Sequence, residues 1–256
     1  MQSSHPLVDW LAFDAVLFDL DGVITPTAEI HERAWAALFA RWDFTATDYL
    51  TYVDGKPRYN GVQSFLRSRG VDLPWGDPSD PPGGDTVCAM GNRKNDMFNE
   101  VLGHDGIEPY PGTLAVLDLL DAHGIAQAIV SSSKNARTVL AAAGMADRFA
   151  VVVDGITAVE DGLAGKPDPA MFERAAQLLG VPPATAVVVE DASSGVAAGV
   201  AGRFALVVGV DRGGNRDALA SAGAHLVVRD LGETLHDRIT GVSDDNSTGR
   251  VESEQP

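Results

Sequence analysis

The chain is 256 residues long, 45% apolar, and carries a formal charge of −17 from 36 acidic and 19 basic side chains. That balance excludes nonspecific nucleic-acid binding, whose affinity rests on cationic contacts to phosphates, and no apolar run approaches the ~20 residues of a membrane span. The length exceeds that of the usual single domain and leaves room for a second, smaller one.

Residues 1 to 13 lack both a charged n-region and a long apolar h-region, so no signal peptide is expected. Cys88 is the sole cysteine, which rules out an internal disulfide and makes a reducing, cytoplasmic compartment the expectation. It reads as a small buried or loop apolar group. A monomer is expected.

The apolar run Ala15-Val16-Leu17-Phe18 predicts a buried strand, and Asp19-Leu20-Asp21-Gly22-Val23-Ile24-Thr25 follows it directly. Side chains alternate along extended backbone, so Asp19 and Asp21 share one side while Gly22 lets the chain bend behind them. Ligands in open α/β sheets gather beyond the carboxyl ends of strands. A carboxylate pair placed there can hold a hard cation and divide nucleophilic from acid/base work.

Next, Ile30, Ala34, Leu38 and Trp42 recur at spacing four and predict an amphipathic helix over residues 28 to 42, with Thr27 as N-cap and Glu29 in the first turn. Residues 60 to 69 and 93 to 103 also predict helices, whereas Gly76-Asp77-Pro78-Ser79-Asp80-Pro81-Pro82-Gly83-Gly84 reads as a long turn-rich connection. Nothing in this stretch alternates like a strand, so residues 26 to 107 predict a helical cap. The core resumes near Glu108-Pro109-Tyr110-Pro111-Gly112. Strands predicted near 125 to 131, 149 to 153, 185 to 190, 204 to 209 and 225 to 228 then alternate with helices near 112 to 123, 134 to 144, 168 to 180, 193 to 201 and 215 to 223. Such alternation implies a Rossmann-like, doubly wound parallel sheet with helices on both faces, built from residues 1 to 25 and 108 to 240. The tail, residues 241 to 256, is polar and acidic and is expected to be disordered.

Three later segments join the first acid pair. Ser131-Ser132-Ser133-Lys134-Asn135 closes the second predicted strand with hydroxyls and amides that suit an anion. Gly165-Lys166-Pro167-Asp168-Pro169 offers one cation on a turn before a helix, and Glu190-Asp191 ends another strand just before Ser193-Ser194-Gly195 opens a helix. Taken singly, these read as an Asp-Gly turn, a turn serine, a solvated lysine and a helix-capping pair. Together they place chemistry at one strand end or helix start after another.

In this order the four motifs resemble those of the haloacid dehalogenase superfamily of phosphotransferases. The continuation Thr27-Ala28-Glu29, His31 and Arg33-Ala34-Trp35 is most similar to its β-phosphoglucomutase-like branch, and the resemblance covers residues 13 to 232. It implies Asp19 as the phosphoryl-accepting nucleophile and Asp21 as general acid/base, with Ser131 and Lys166 holding the transferring phosphate. Glu190 and Asp191 would complete a Mg2+ site with Asp19 and the backbone carbonyl of Asp21. Phosphoryl transfer needs such groups because the moving phosphate carries dispersed negative charge, which metal and cation must stabilise.

The same resemblance extends into the cap. His31 falls at the branch's substrate-contacting position, and Gly55-Lys56-Pro57-Arg58 matches the loop that gives an arginine to the phosphate not being transferred. Arginine can bind a phosphate bidentately. Asn92-Arg93-Lys94-Asn95 matches the segment that brings Lys94 and Asn95 to the sugar, with Arg93 an ordinary surface charge, and Ser133, Lys134 and Asn135 resemble the core side of the second-phosphate seat. Lys166, Lys134, Lys94 and Arg58, with the metal, would make a positive pocket within an acidic exterior. Pro26 departs from the Asp that family members often carry there.

The implied activity is magnesium-dependent phosphoryl transfer on a small sugar phosphate, interconverting β-glucose 1-phosphate and glucose 6-phosphate through a bisphosphate. A sugar-phosphate phosphatase uses the same chemistry with water as acceptor. A dehalogenase needs neither the magnesium-binding acid pair nor Asp21, and a catalytically idle binding module need not keep all of Asp19, Asp21, Lys166 and Asp191.

Overall fold

Six apolar runs build the core. In the computed structural model, which describes residues 7–53 and 56–235, they form β1 (Ala15–Phe18), β2 (Ala126–Val130), β3 (Val151–Val153), β4 (Ala186–Glu190), β5 (Leu206–Val210) and β6 (Leu226–Val228). All pairings are parallel, in the order β3-β2-β1-β4-β5-β6. Successive side chains point to opposite faces. Val16, Phe18, Ile129, Val187, Val189 and Val208 pack into one apolar layer, while Ala15, Leu17, Ala128, Val130, Val188 and Val207 pack into the other. Both faces are covered, so the strands are apolar along their length.

The helices, in chain order, are α1 (Thr27–Leu38), the one-turn α2 (Ala46–Asp48) running into a π turn at Tyr49–Val53, α3 (Arg58–Ser68), α4 (Val87–Asp105), α5 (Pro111–Ala122), α6 (Ala136–Ala142), α7 (Gly155–Glu160), α8 (Ala170–Leu179), α9 (Ser193–Ala201) and α10 (Arg216–Ser221). Val116, Leu117 and Leu120 of α5 and Val139 and Leu140 of α6 cover the first face. Met171, Phe172, Ala175 and Ala176 of α8, Val196 and Ala198 of α9 and Leu219 of α10 cover the second. This is an α/β fold with an inserted helical cap. The cap has its own apolar cluster, in which Trp35, Leu38, Phe39, Val53, Val62, Phe65, Leu66 and Val87 pack together. Two helices belong to both regions: Ile30 and Ala34 of α1 and Phe98 and Leu102 of α4 join the sheet-side layer.

Several expectations need correction. The helix expected over 28 to 42 stops at Leu38, and the chain tightens into a 3-10 turn, Ala40–Trp42, closed by Asp43 at φ 50. Thr27 does not cap it: Pro26 holds the N-cap position and the Thr27 hydroxyl turns to Asp21 instead. Arg58 is the first residue of α3 rather than part of a loop, and residues 92 to 95 lie inside α4, whose cap is Thr86, accepting the Ala89 N–H at 3.0 Å. Helix α6 starts at 136 rather than 134, because the Ser133 hydroxyl accepts the Asn135 N–H at 3.1 Å and holds a turn there. Helix α7 was not anticipated. Its Asp154-Gly155 start looks like a turn, yet Asp154 Oδ1 accepts the N–H groups of Ile156 (3.0 Å) and Thr157 (2.9 Å) as an N-cap. The expected tail, residues 241 to 256, lies outside the described residues, as do residues 236 to 240 of the expected core and Gly55 of the cap segment.

Candidate active site

Strand order reverses around β1, whose neighbours β2 and β4 lead to opposite edges of the sheet. This is where an open α/β sheet forms its crevice. Phe18 pairs with Ile129 on one side and Val189 on the other, so Asp19 emerges level with Val130 and Glu190, and Ser131 and Asp191 lie one residue beyond. The Asp19 N–H extends the ladder to the Val189 carbonyl at 2.9 Å.

At that edge Asp19, Glu190 and Asp191 bring carboxylate oxygens within 4.8 Å of one another. Lys166 enters among them. Its Nζ donates to Asp19 Oδ1 at 2.5 Å, Glu190 Oε1 at 2.5 Å and the Val130 carbonyl at 3.0 Å, and it lies 5.0 Å from the centre of the Phe172 ring. Burial alone would lower the lysine, but the Asp19 and Glu190 charges outweigh it and hold the ammonium protonated. Burial pushes Asp19 up to about 8 even with Lys166 beside it, because Glu190 and Asp21 repel its charge. Asp191 is raised well above the carboxylate range by burial, then by Asp19 and Glu190.

A hard cation fits this donor set. Both Glu190 oxygens have partners, Oε1 with Lys166 and Oε2 with the Ala192 N–H at 2.9 Å. Among the described residues no hydrogen bond reaches the Asp191 carboxylate, and crowded, under-compensated carboxylates are what a divalent cation neutralises. Two glycines make the crowding possible. Gly22 turns at φ +83, and a Cβ there would lie 1.8 Å from Asp191 Oδ2; a Cβ on Gly195, in the first turn of α9, would lie 1.7 Å from Glu190 Oε1.

Asp21 sits at the mouth of this cluster. It accepts a hydrogen bond from the Thr27 hydroxyl, with the Ser131 hydroxyl at 3.5 Å and His31 Nε2 at 3.8 Å. Burial raises its pKa, which favours the protonated form an acid catalyst needs.

Facing it, α1 and α4 contribute a cationic group. His31 stacks on Phe98 at 4.2 Å, and its Nδ1 meets Nζ of Lys94, which is buried with the Trp35 and Phe98 ring centres 5.2 and 5.0 Å away. Burial and the Arg58 charge lower Lys94 to about 7; burial, then Lys94 and Arg58, hold His31 well below its ordinary range. Arg58 Nη2 donates to Asn95 Oδ1 at 2.7 Å, and Asn135 Nδ2 donates to the same oxygen at 2.6 Å. Cap and core thus meet on one amide.

Of the expected second-phosphate residues on the core side, only Asn135 hydrogen-bonds a cap side chain among the described residues. The Ser133 hydroxyl is engaged with the backbone of Asn135, and Lys134 is exposed with no side-chain hydrogen bond or ion pair to the described residues. Thr27, Arg212 and Asn215 also touch the reaction centre and were not anticipated. Thr27 read as a cap, and the other two lie in a glycine-rich loop whose only signal was its place after a strand of a parallel sheet.

Such an edge can transfer a charged group from a substrate to a carboxylate beside a fixed ammonium, which is hydrolase or transferase chemistry. The chain belongs to the haloacid dehalogenase-like hydrolase family, whose sequence profile matches residues 13–202. It is 49% identical over 239 residues to a β-phosphoglucomutase of Mycobacterium tuberculosis (strain CDC 1551 / Oshkosh), covering 86% of this chain and 91% of that protein. It is 34% identical to the β-phosphoglucomutase of Bacillus subtilis (strain 168), covering 87% and 94%. Among solved structures, β-phosphoglucomutase from Clostridium difficile superposes with a TM-score of 0.72 at 27% identity, covering 89% of this chain and 95% of that one.

Proposed function

We propose that the chain is a magnesium-dependent β-phosphoglucomutase, interconverting β-glucose 1-phosphate and glucose 6-phosphate through a phospho-aspartate. The observation that supports this reading is the pairing of Arg58, through Asn95, with Asn135 of the core, which ties a cap cation to the core side of the cleft. A mutase needs two anion seats, because its bisphosphate intermediate binds in both orientations. A phosphatase needs only one.

In this mechanism Asp19 attacks the phosphorus and Asp21 donates its proton to the leaving sugar oxygen, then takes a proton from the hydroxyl that attacks in the return step. Lys166 and the Ser131 hydroxyl hold the phosphoryl oxygens. Asp19 and Asp191, the Asp21 carbonyl and, through its neighbours, Glu190 would hold magnesium, which supplies charge neutralisation between carboxylate and phosphate. His31, Lys94 and Asn95 orient the sugar, and Arg58 and Asn135 seat the distal phosphate, with Ser133 and Lys134 bordering that seat. Residues 26 to 107 form the cap and exclude water from the phospho-aspartate. A monomer is part of this reading, and the lone cysteine fits a cytoplasmic protein.

Hydrolysis of sugar phosphates is the second reading, favoured by the family's description as hydrolases. One assay separates the two: β-glucose 1-phosphate with magnesium and a trace of bisphosphate, resolving glucose 6-phosphate from free phosphate. Glucose 6-phosphate as the main product supports the mutase. Free phosphate alone moves the assignment to a phosphatase, and no magnesium-dependent product from either route leaves a binding module.

A further inference from the structure

The loop 211–215 after β5 supplies none of the groups given a role in the reaction, yet two of its side chains grip the backbone of the reaction centre. Arg212 Nε donates to the Gly22 carbonyl at 2.9 Å while its guanidinium lies on the Tyr110 ring, 3.5 Å from the centre. Its Nη1 donates to the Arg229 carbonyl at 2.9 Å and Asp230 Oδ2 at 3.3 Å. Asn215 Nδ2 donates to the Asp191 carbonyl at 2.8 Å. The loop is itself fixed, with the Asn215 N–H on Asp211 Oδ1 at 2.8 Å and the Asp211 N–H on the Val228 carbonyl at 2.7 Å.

The two gripped carbonyls belong to the two segments that press on each other at Gly22 and Asp191. The Asp21–Gly22 peptide is held through the Gly22 N–H on the Thr25 carbonyl at 2.8 Å, and the following peptide is held by Arg212. Tyr110, under the guanidinium, donates its own N–H to the Ile24 carbonyl at 2.9 Å. It is also the residue at which the chain, back from the cap, enters α5. One guanidinium therefore reaches the catalytic turn directly at Gly22 and again through Tyr110.

We propose that Arg212 is a positioning residue for phosphoryl transfer, holding the turn that carries Asp19 and Asp21 in register with Asp191, with Asn215 fixing the Asp191 side. The inference rests on the phosphotransferase reading above. Misplacement of reacting groups by about 1 Å can cost ~100-fold in rate, and site residues need support to within about 0.5 Å. Lysine can place one donor on the Gly22 carbonyl, but it cannot stack flat on Tyr110 while donating sideways to the 229–230 segment.

The test compares the full-length parent with Arg212→Ala, Arg212→Lys and Tyr110→Leu, using acetyl phosphate hydrolysis over a magnesium titration and calorimetric magnesium binding. For Arg212→Ala, kcat is expected to fall at least about tenfold with KM for acetyl phosphate within about threefold, and the magnesium dissociation constant to rise at least about threefold. Arg212→Lys should fall between parent and alanine variant. Should Arg212→Ala fail to fold, Tyr110→Leu carries the same expectation at about threefold in kcat. A kcat and a magnesium dissociation constant both within about twofold of the parent, whatever happens to Tm, reduce Arg212 to packing and overturn the proposal. A parent that neither binds magnesium nor hydrolyses acetyl phosphate overturns the phosphotransferase reading itself; an active parent with unchanged variants overturns only the positioning role.

Discussion

The two walls of the cleft obey the same electrostatics with opposite sign. At the ends of β1 and β4, burial raises Asp19 and Asp191 because three carboxylates share one ammonium. On the cap side, burial lowers Lys94 and His31 because they crowd together with Arg58. Desolvation disfavours charge of either sign, and like charges nearby deepen the penalty. The core wall is therefore short of positive charge and the cap wall short of negative charge. A divalent cation with a phosphate dianion relieves both at once, which neither does alone.

The core half breaks most completely at Asp19. Asp19→Asn should lower turnover of β-glucose 1-phosphate by about a thousandfold or more, since a covalent nucleophile is lost. It should remain folded, because one crowded acid disappears while Lys166 keeps Glu190. Activity above roughly a percent of the parent in a folded variant contradicts the role.

The cap half breaks next, at Arg58. Loss of a charge-assisted contact to the distal phosphate should lower kcat/KM for isomerisation by about thirtyfold to a thousandfold in Arg58→Ala, while acetyl phosphate, which has no second phosphate, is hydrolysed nearly as before. Equal losses on both substrates make Arg58 structural and favour the phosphatase reading.

Lys94→Met sharpens the comparison, because it should weaken binding and relieve the cap. KM for the sugar phosphate is expected to rise about tenfold as a charged contact goes. The folded pKa of about 7 lies below the ordinary 10.5, so the unfolded chain binds more protons at Lys94 between those values, and the contribution of Lys94 to parental stability rises with pH across that window. The variant lacks that rise. Melting curves from pH 7 to 10 should show the variant's advantage in Tm shrinking; a constant difference would falsify the burial of a charged Lys94.

The smallest effect concerns magnesium and pH. Asp19 and Asp191 have raised pKa values in the folded chain, so the native state holds protons that the unfolded state releases, and stability without metal should fall as pH rises from about 4 to 8. Magnesium replaces those protons, and its stabilisation, by a few degrees of Tm, should be larger at pH 8 than at pH 6. Equal shifts at both values dismiss these carboxylates as its ligands.

How far the sequence could be read differs between the two walls for a physical reason. The core groups lie immediately after continuous apolar strands, so Asp19, Ser131, Glu190 and Asp191 were placed once the strands were recognised, with errors of one or two residues at their ends. Contacts that span the chain left no local trace. Arg212 meets Gly22 from 190 positions away, and His31 and Lys94 meet across 63 positions. Within the cap the helical period reveals the faces but not the breaks, so Trp42 falls in a predicted helix that stops at Leu38. Thr27 shows the ambiguity at its sharpest: a residue type that caps helices serves here as donor to Asp21.

The double ion pair of Lys166 has a further consequence. Its ammonium already holds Asp19 and Glu190 at 2.5 Å, so an arriving anion enters by exchange rather than by falling into an open positive hole. Chloride or a carboxylate monoanion has too little charge to draw the ammonium from two carboxylates. A phosphate dianion would be the stronger competitor for Lys166 if a divalent cation neutralised the carboxylates. The ammonium is thus held by its own carboxylates before any anion arrives, and anion entry is coupled to their neutralisation.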